Sequence, residues 1–192
     1  MTIKRGRRGG NAQAVKIVVT GPFSAGKTTL IRTISEITVL STEKDITDET
    51  KSRKAETTVA MDFGRITIDR DLVLYLFGTP GQDRFDFMWE ILGEGMIGYL
   101  LLIDADREDS VEQAVGIHEA FRKMARVPYV VALNRASADD HALVETVRTQ
   151  LDIPTDVAIL ACDATDKESV KNVLLALLYA VLDEVEAQSV RV

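Results

Sequence analysis

The chain has 192 residues, 46% of them hydrophobic, a formal net charge of −7 and a single cysteine. That length and apolar content suit one substantial globular domain, and the acidity makes the body of the chain a poor match for nucleic acid. One cysteine excludes a disulfide framework or a cysteine-rich metal site within the chain, and the longest apolar runs, "VKIVV" and "YLLLI", are too short to span a bilayer.

The charge is unevenly spread. Residues 1–13 hold Lys4, Arg5, Arg7 and Arg8 and no acid, which predicts a disordered basic tail ahead of a domain over residues 14–188. Two uses of the tail compete: a solvated extension, or an electrostatic tether to phosphates or anionic lipid. The basic start lacks the apolar core of a secretory signal, Thr2 offers no myristoylation site and the "SVRV" end no prenylation site. The expectation is a cytoplasmic protein with no transmembrane segment, recruited to the membrane periphery, if at all, through partners.

"VKIVVT" (15–20) reads as a strand stopped by Gly21 and Pro22, and "KTTLIRTISEI" (27–37) as a helix with Leu30, Ile31 and Ile34 on one face. Residues 40–56 are polar, charged and aperiodic, a long loop of the functional or mobile kind. "TTVAMDFGRITI" (57–68) and "LVLYLF" (72–77) stand so close that they predict an antiparallel hairpin. Strand then alternates with helix. "GYLLLIDA" (98–105) precedes a helix opening near Asp109, with Ser110 and Gln113 at capping-box spacing. "PYVVALN" (128–134) precedes a helix over 139–150, and "VAIL" (157–160) leads to the last one. There Val170, Val173, Leu174, Leu177, Leu178, Val181, Leu182 and Val185 predict one long core face. The pattern is an α/β fold of the P-loop type: a mostly parallel six-stranded sheet, one antiparallel hairpin, and helices on both faces. His118 and His141 fall in helices without metal-like spacing and read as solvated surface.

"GPFSAGKT" (Gly21–Thr28) matches G-x4-G-K-[ST] between a predicted strand and a predicted helix, the context that the phosphate-binding loop requires. Gly21 and Gly26 allow a tight arc of backbone N–H groups, and the following helix adds its positive end. Nucleotide contacts are assigned to Gly21, Ser24, Ala25, Gly26, Lys27, Thr28 and Thr29. Lys27 is the point charge between the β- and γ-phosphates, and Thr28 offers a hydroxyl to Mg²⁺. Phe23 stands near the γ-phosphate, where it either crowds the attacking water or packs on the neighbouring loop.

A phosphate loop, a long polar loop ending at Thr58, "VAMDFG", a hairpin and "GTPGQ" together resemble a Ras-like small GTPase. In detail they are similar to a bacterial branch containing the gliding-polarity and the actinobacterial conservon GTPases. "LVLYLFGTPGQDRF" and "CDATDKESV" look closest to the conservon type, and the resemblance covers about residues 14–185. It implies GTP/GDP and Mg²⁺ as cofactors. It also implies that Thr58, with Thr57 as a second candidate, completes the magnesium shell and senses the γ-phosphate, while Gly81 donates its N–H there and Gln82 orients water. Arg53, beside Lys51 and Lys54, is a candidate arginine finger in cis or a solvated charge.

The sequence departs from the Ras-like pattern twice. Gly78 stands where most of these proteins have a magnesium-holding aspartate, as it does in the gliding-polarity branch, and predicts weaker magnesium binding with nucleotide binding preserved. "NRAS" replaces N-K-x-D: Asn134 matches and Arg135 can stack, but Ser137 lacks the carboxylate that accepts from guanine. Asp139 or Asp140 substitutes only if the loop is reshaped. In "ACDAT", Cys162, Asp163 and Ala164 fall where the family lays backbone over the base, and Cys162 reads as a small buried residue.

Phe85, Phe87, Met88 and Trp89 cannot all be buried by one helix face, so part of this set is expected to be an interface. The resemblance points to a Roadblock/LC7-domain partner over the switch regions. Two function classes follow. One is a GTP switch with slow intrinsic hydrolysis controlled by a partner; the other is a degenerate GTPase that works as a scaffold. A P-loop kinase of small metabolites fits less well, because of the early antiparallel hairpin and the lack of a basic lid.

Overall fold

The apolar runs become the strands of one sheet in the computed structural model, which describes residues 13–41, 61–69, 71–81 and 87–190. The strands are β1 (Gln13–Thr20), β2 (Leu40–Ser41), β3 (Asp62–Asp69), β4 (Leu72–Gly78), β5 (Met96–Asp104), β6 (Tyr129–Asn134) and β7 (Ile159–Cys162), in the order β2-β3-β4-β1-β5-β6-β7. β4, β1, β5, β6 and β7 run parallel, and β3 turns back antiparallel to β4. The six expected strands are present. β2 adds a two-residue seventh, antiparallel to β3 at the sheet edge. It falls in the segment read as loop, since two residues carry no periodicity to detect.

The helices are α1 (Lys27–Ile34), α2 (Phe87–Gly93), α3 (Ser110–Met124), α4 (His141–Gln150) and α5 (Lys167–Val190). Alternation along the strands splits the core in two. Ile17, Val19, Leu74, Leu76, Leu100 and Leu102 meet α1 and α5 on one face. Val18, Tyr99, Leu101 and Ile103 meet α2, α3 and α4 on the other. α1 is shorter than the sequence suggests, because Ser35 leaves the helix and its Oγ accepts the backbone N–H of Arg65 on β3.

The long core face expected on α5 is only half right. Val170, Val173, Leu174 and Leu177 are buried, but Leu182 and Val185 are 54% and 57% exposed. A Cβ on Gly98, near the start of β5, would lie 3.0 Å from Leu177 and 3.2 Å from Val181. Past Val181 the helix has outrun the strands, and a periodic sequence cannot reveal where the sheet stops. The capping box at α3 also forms differently: Ser110 Oγ accepts from the Asp104 N–H, and Gln113 Nε2 donates to the Asp109 carboxylate. No helix among the described residues is long and apolar enough to cross a membrane.

His118 corrects the solvated reading. It is 1% exposed, its Nδ1 lying 3.4 Å from Tyr99 Oη and its ring packing on Tyr129. Its place on α3 in phase with Ala114 and Phe121 turns it inward. Burial, helped by Arg122, pulls its pKa from 6.5 down to about 4. The unfolded chain therefore takes the proton first. Stability is full above pH 6.5 and falls between 6.5 and 4, by up to roughly 3 kcal/mol. Urea unfolding at pH 7 and pH 4.5 should show a shallower loss for His118→Gln than for the parent chain. Equal losses would remove His118 as the responsive group.

Candidate functional site

β1 lies between β4 and β5, so the chain leaving β1 opens a crevice at the carboxyl ends of the strands, where open α/β sheets bind ligands. Residues 21–26 make the turn into α1. Gly21 has φ 141°, and a Cβ there would stand 2.0 Å from Leu102 O; Gly26 has φ 102°, and a Cβ there would stand 2.5 Å from Asn134 Nδ2. Neither position accepts a side chain. Ser24 also has a positive φ, 62°, and a turn of this kind can aim its backbone N–H groups into an anion-binding concavity.

Lys27 is buried, and its Nζ donates to Gly21 O at 2.7 Å and Pro22 O at 2.6 Å. The ammonium thus arches back over the loop that its own helix leaves. It opens on a cavity of about 290 Å³ whose walls include Ser24, Thr28, Thr29, Asp62, Gly81 and Arg135. The turn after β4 reaches the same mouth. Thr79 bonds to β1 through both its N–H and its hydroxyl, and a Cβ on Gly81 would fall 2.5 Å from Phe23 N and 2.7 Å from Lys27 Nζ.

The sequence reading missed Asp62. This first residue of β3 is 8% exposed and pairs in register with Gly78. Its Oδ2 accepts from Thr28 Oγ1, while Oδ1 is buried with no hydrogen-bond partner among the described residues. A buried carboxylate oxygen without a partner is costly unless a cation or water completes it. A carboxylate thus stands directly across the ladder from Gly78, on the strand adjacent to β4. The signal was in the sequence: Asp62, Gly64 and Ile66 share the inward phase of β3, and an acid on a buried phase calls for an explanation.

On the base side, Asn134 is a structural brace. Its Nδ2 donates to Ala25 O at 2.9 Å, and its Oδ1 accepts the Ala164 N–H at 3.0 Å. It thereby ties the phosphate loop to the β7–α5 loop. Arg135, at φ 65°, pairs with buried Asp104, which raises its already high pKa, and its N–H donates to Cys162 O. Ser137 is exposed, and Asp140 caps α4 by accepting from the Leu143 N–H. Cys162 is the small buried residue expected, its thiol pushed up to about 11 by burial.

Phe23 is 50% exposed at the phosphate mouth, its carbonyl accepting from Arg107. Trp89 is buried, with Nε1 donating to Pro80 O, whereas Phe87 and Ile91 are 51% and 61% exposed. The aromatic set divides as its spacing requires. Arg53, Thr57, Thr58 and Gln82 lie outside the described residues, as do Lys51, Lys54, Phe85 and residues 1–12 of the basic tail.

Comparison with known proteins decides how far this geometry extends. The model of a family described as "Conserved hypothetical ATP binding protein" matches residues 19–184. The chain belongs to this ATP-binding protein family. It is also similar to the uncharacterized protein MJ1339 of Methanocaldococcus jannaschii, at 32% identity over 126 residues, 66% of this chain and 73% of the relative. Membership in the ATP-binding family carries nucleotide binding and agrees with the P-loop architecture. It does not carry the small-GTPase branch: the family is described by ATP, where the sequence led to the expectation of GTP.

Proposed function

We propose that the chain is a magnesium-dependent nucleotide switch that binds GTP and hydrolyses it slowly under the control of a partner. One observation carries the reading: the Thr28–Asp62 pair, with its partnerless Oδ1, beside Lys27 and the Gly81 turn. A hydroxyl that donates to a carboxylate keeps its lone pairs for a cation, and hard oxygen donors suit Mg²⁺. Thr28 and Asp62 would hold the ion, with Thr58 added from the preceding loop. When bound, Mg²⁺ would neutralise charge between the β- and γ-phosphates. Lys27 and the loop N–H groups orient the phosphates, Gly81 meets the γ-phosphate, Gln82 aims the water, and Arg53 is its cis-acting finger. Exposed Phe23 narrows the approach of water, which supports slow turnover.

ATP is the second reading. It is favoured by Ser137, which lacks the guanine-accepting charge, and by the ATP binding that describes the family. Control by a Roadblock/LC7-domain protein is supported by the resemblance and by exposed Phe87 and Ile91 on α2. Labelled GDP, GTP and ATP titrated with and without magnesium test the whole. Magnesium should strengthen triphosphate binding, and Lys27→Ala should weaken it at least about tenfold, the scale of a lost charged contact. Repeating the titration with such a partner, on the parent chain and on Phe87→Ser, tests the control. Binding indifferent to both magnesium and Lys27 would end the switch reading.

A further inference from the structure

We propose that the basic segment 1–12 of this chain docks on the bare apolar face of α5, in the groove between that helix and the amino ends of β6 and β7. This groove lies at the opposite edge of the sheet from the phosphate cavity, so the nucleotide reading does not bear on it. Past Val181 the helix has left the sheet, and Tyr179, Leu182 and Val185 are 64%, 54% and 57% exposed. Beside them opens a cavity of about 660 Å³ whose lining includes Pro128, Ala158, Ala176 and Ala180. A contiguous exposed apolar face next to a groove marks an interaction surface.

Charge decides what covers it. Residues 172–189 of α5 hold Asp183, Glu184 and Glu186 and no base, while Asp156 and Arg126 add one charge of each sign to the groove. Glu184 accepts from its neighbour Gln188, and among the described residues none of Asp156, Asp183 and Glu184 forms an ion pair. A second copy of this face would set like charge against like. Segment 1–12 instead brings Lys4, Arg5, Arg7 and Arg8, with no acid, and Ile3 as an apolar side chain. Arginine suits the surface twice, since its fork pairs with carboxylates and its plane stacks on a tyrosine such as Tyr179.

The chain also enters at the right place. Val15, near the start of β1, packs on the same core cluster as Ala176 and Val181 of α5. Gly98, beside Leu177 and Val181, is the register partner of Ile17. β1 therefore begins at the edge over which α5 projects, with only β5 between it and β6. Two strand spacings are about 10 Å, and an extended chain spans at most roughly 3.5 Å per residue. Arg8 and Lys4, five and nine residues before Gln13, thus reach roughly 17 and 30 Å, enough to lie along the groove. The tether makes the encounter intramolecular, so contacts that are weak singly suffice.

Limited trypsin digestion of the full chain tests this, with cleavage after Arg5, Arg7 and Arg8 followed by mass spectrometry. At low salt the parent should be cut there about tenfold more slowly than Asp156→Asn/Asp183→Asn/Glu184→Gln, the product of three contacts each worth a factor of about two to three. High salt should erase the difference. A carbodiimide, which joins Lys4 Nζ to an adjacent carboxylate as an amide, gives the second readout. The parent should link Lys4 to Asp156, Asp183 or Glu184 with a yield independent of protein concentration, and Arg7→Gln/Arg8→Gln should lower that yield. Equal trypsin rates in parent and triple variant, or no such link, would overturn the proposal. A yield that rises with concentration would assign the groove to the segment of another copy and overturn it too. So would protection from trypsin that appears only with phosphatidylserine vesicles, which would make the segment a membrane tether.

Discussion

Asp62→Asn is expected to reduce the strengthening of triphosphate binding by magnesium by about tenfold to a hundredfold, the usual cost of losing a supporting metal-site carboxylate. Affinity measured in a chelator should stay within about twofold. The split follows from geometry. Asp62 touches Thr28 and faces the cavity, but the phosphate arc is built by residues 21–27, Lys27 among them, with which Asp62 shares no hydrogen bond among the described residues. Asparagine keeps an oxygen for the Thr28 hydroxyl while it removes the charge and turns the other acceptor into a donor. Magnesium titrations at fixed nucleotide read this directly. Equal magnesium dependence in parent and variant would remove Asp62 from the metal site.

The fold and half of the site were legible from the sequence because they depend on local patterns. The phosphate loop is such a case: Gly21, Gly26 and Lys27 must follow one another at fixed spacing, so the motif and its geometry are one fact. Strand alternation and helix periodicity likewise placed the two layers of core. What escaped depends on which strand lies beside which. Asp62 and Gly78 are sixteen positions apart in sequence and opposite each other in the sheet. A search for the carboxylate along β4 alone ends at a glycine. Leu182 and Val185 failed for the same kind of reason, since their periodicity continues after the sheet has ended. His118 was misread because a polar residue on a helix is usually solvated, and only the packing of Tyr99 and Tyr129 around it shows otherwise.

Moving the carboxylate back to β4 gives the second large effect. In the parent chain, Gly78→Asp would place a Cβ 2.9 Å from Ile31 Cδ1, 3.0 Å from Asp62 Cβ and 3.2 Å from Asp62 Oδ2. Two carboxylates would then face each other across a buried antiparallel pair, with little room for either. A loss of roughly 3 kcal/mol or more is expected by the scale of overpacking plus unpaired buried charge. Combining it with Asp62→Gly changes the outcome. Both contacts to Asp62 vanish, and what remains is the tip of Ile31, a side chain that can shift by the few tenths of an ångström required. The double variant should recover most of the lost stability in denaturant unfolding. On the proposed magnesium reading it should also bind nucleotide with more magnesium dependence than Asp62→Gly alone, because a Cβ at position 78 falls beside that of Asp62. Recovered stability without recovered magnesium dependence would mean that Asp62 acts through its Thr28 bond and not through a metal. A double variant as unstable as Gly78→Asp would instead locate the clash at Ile31, and would explain Gly78 by α1 packing alone.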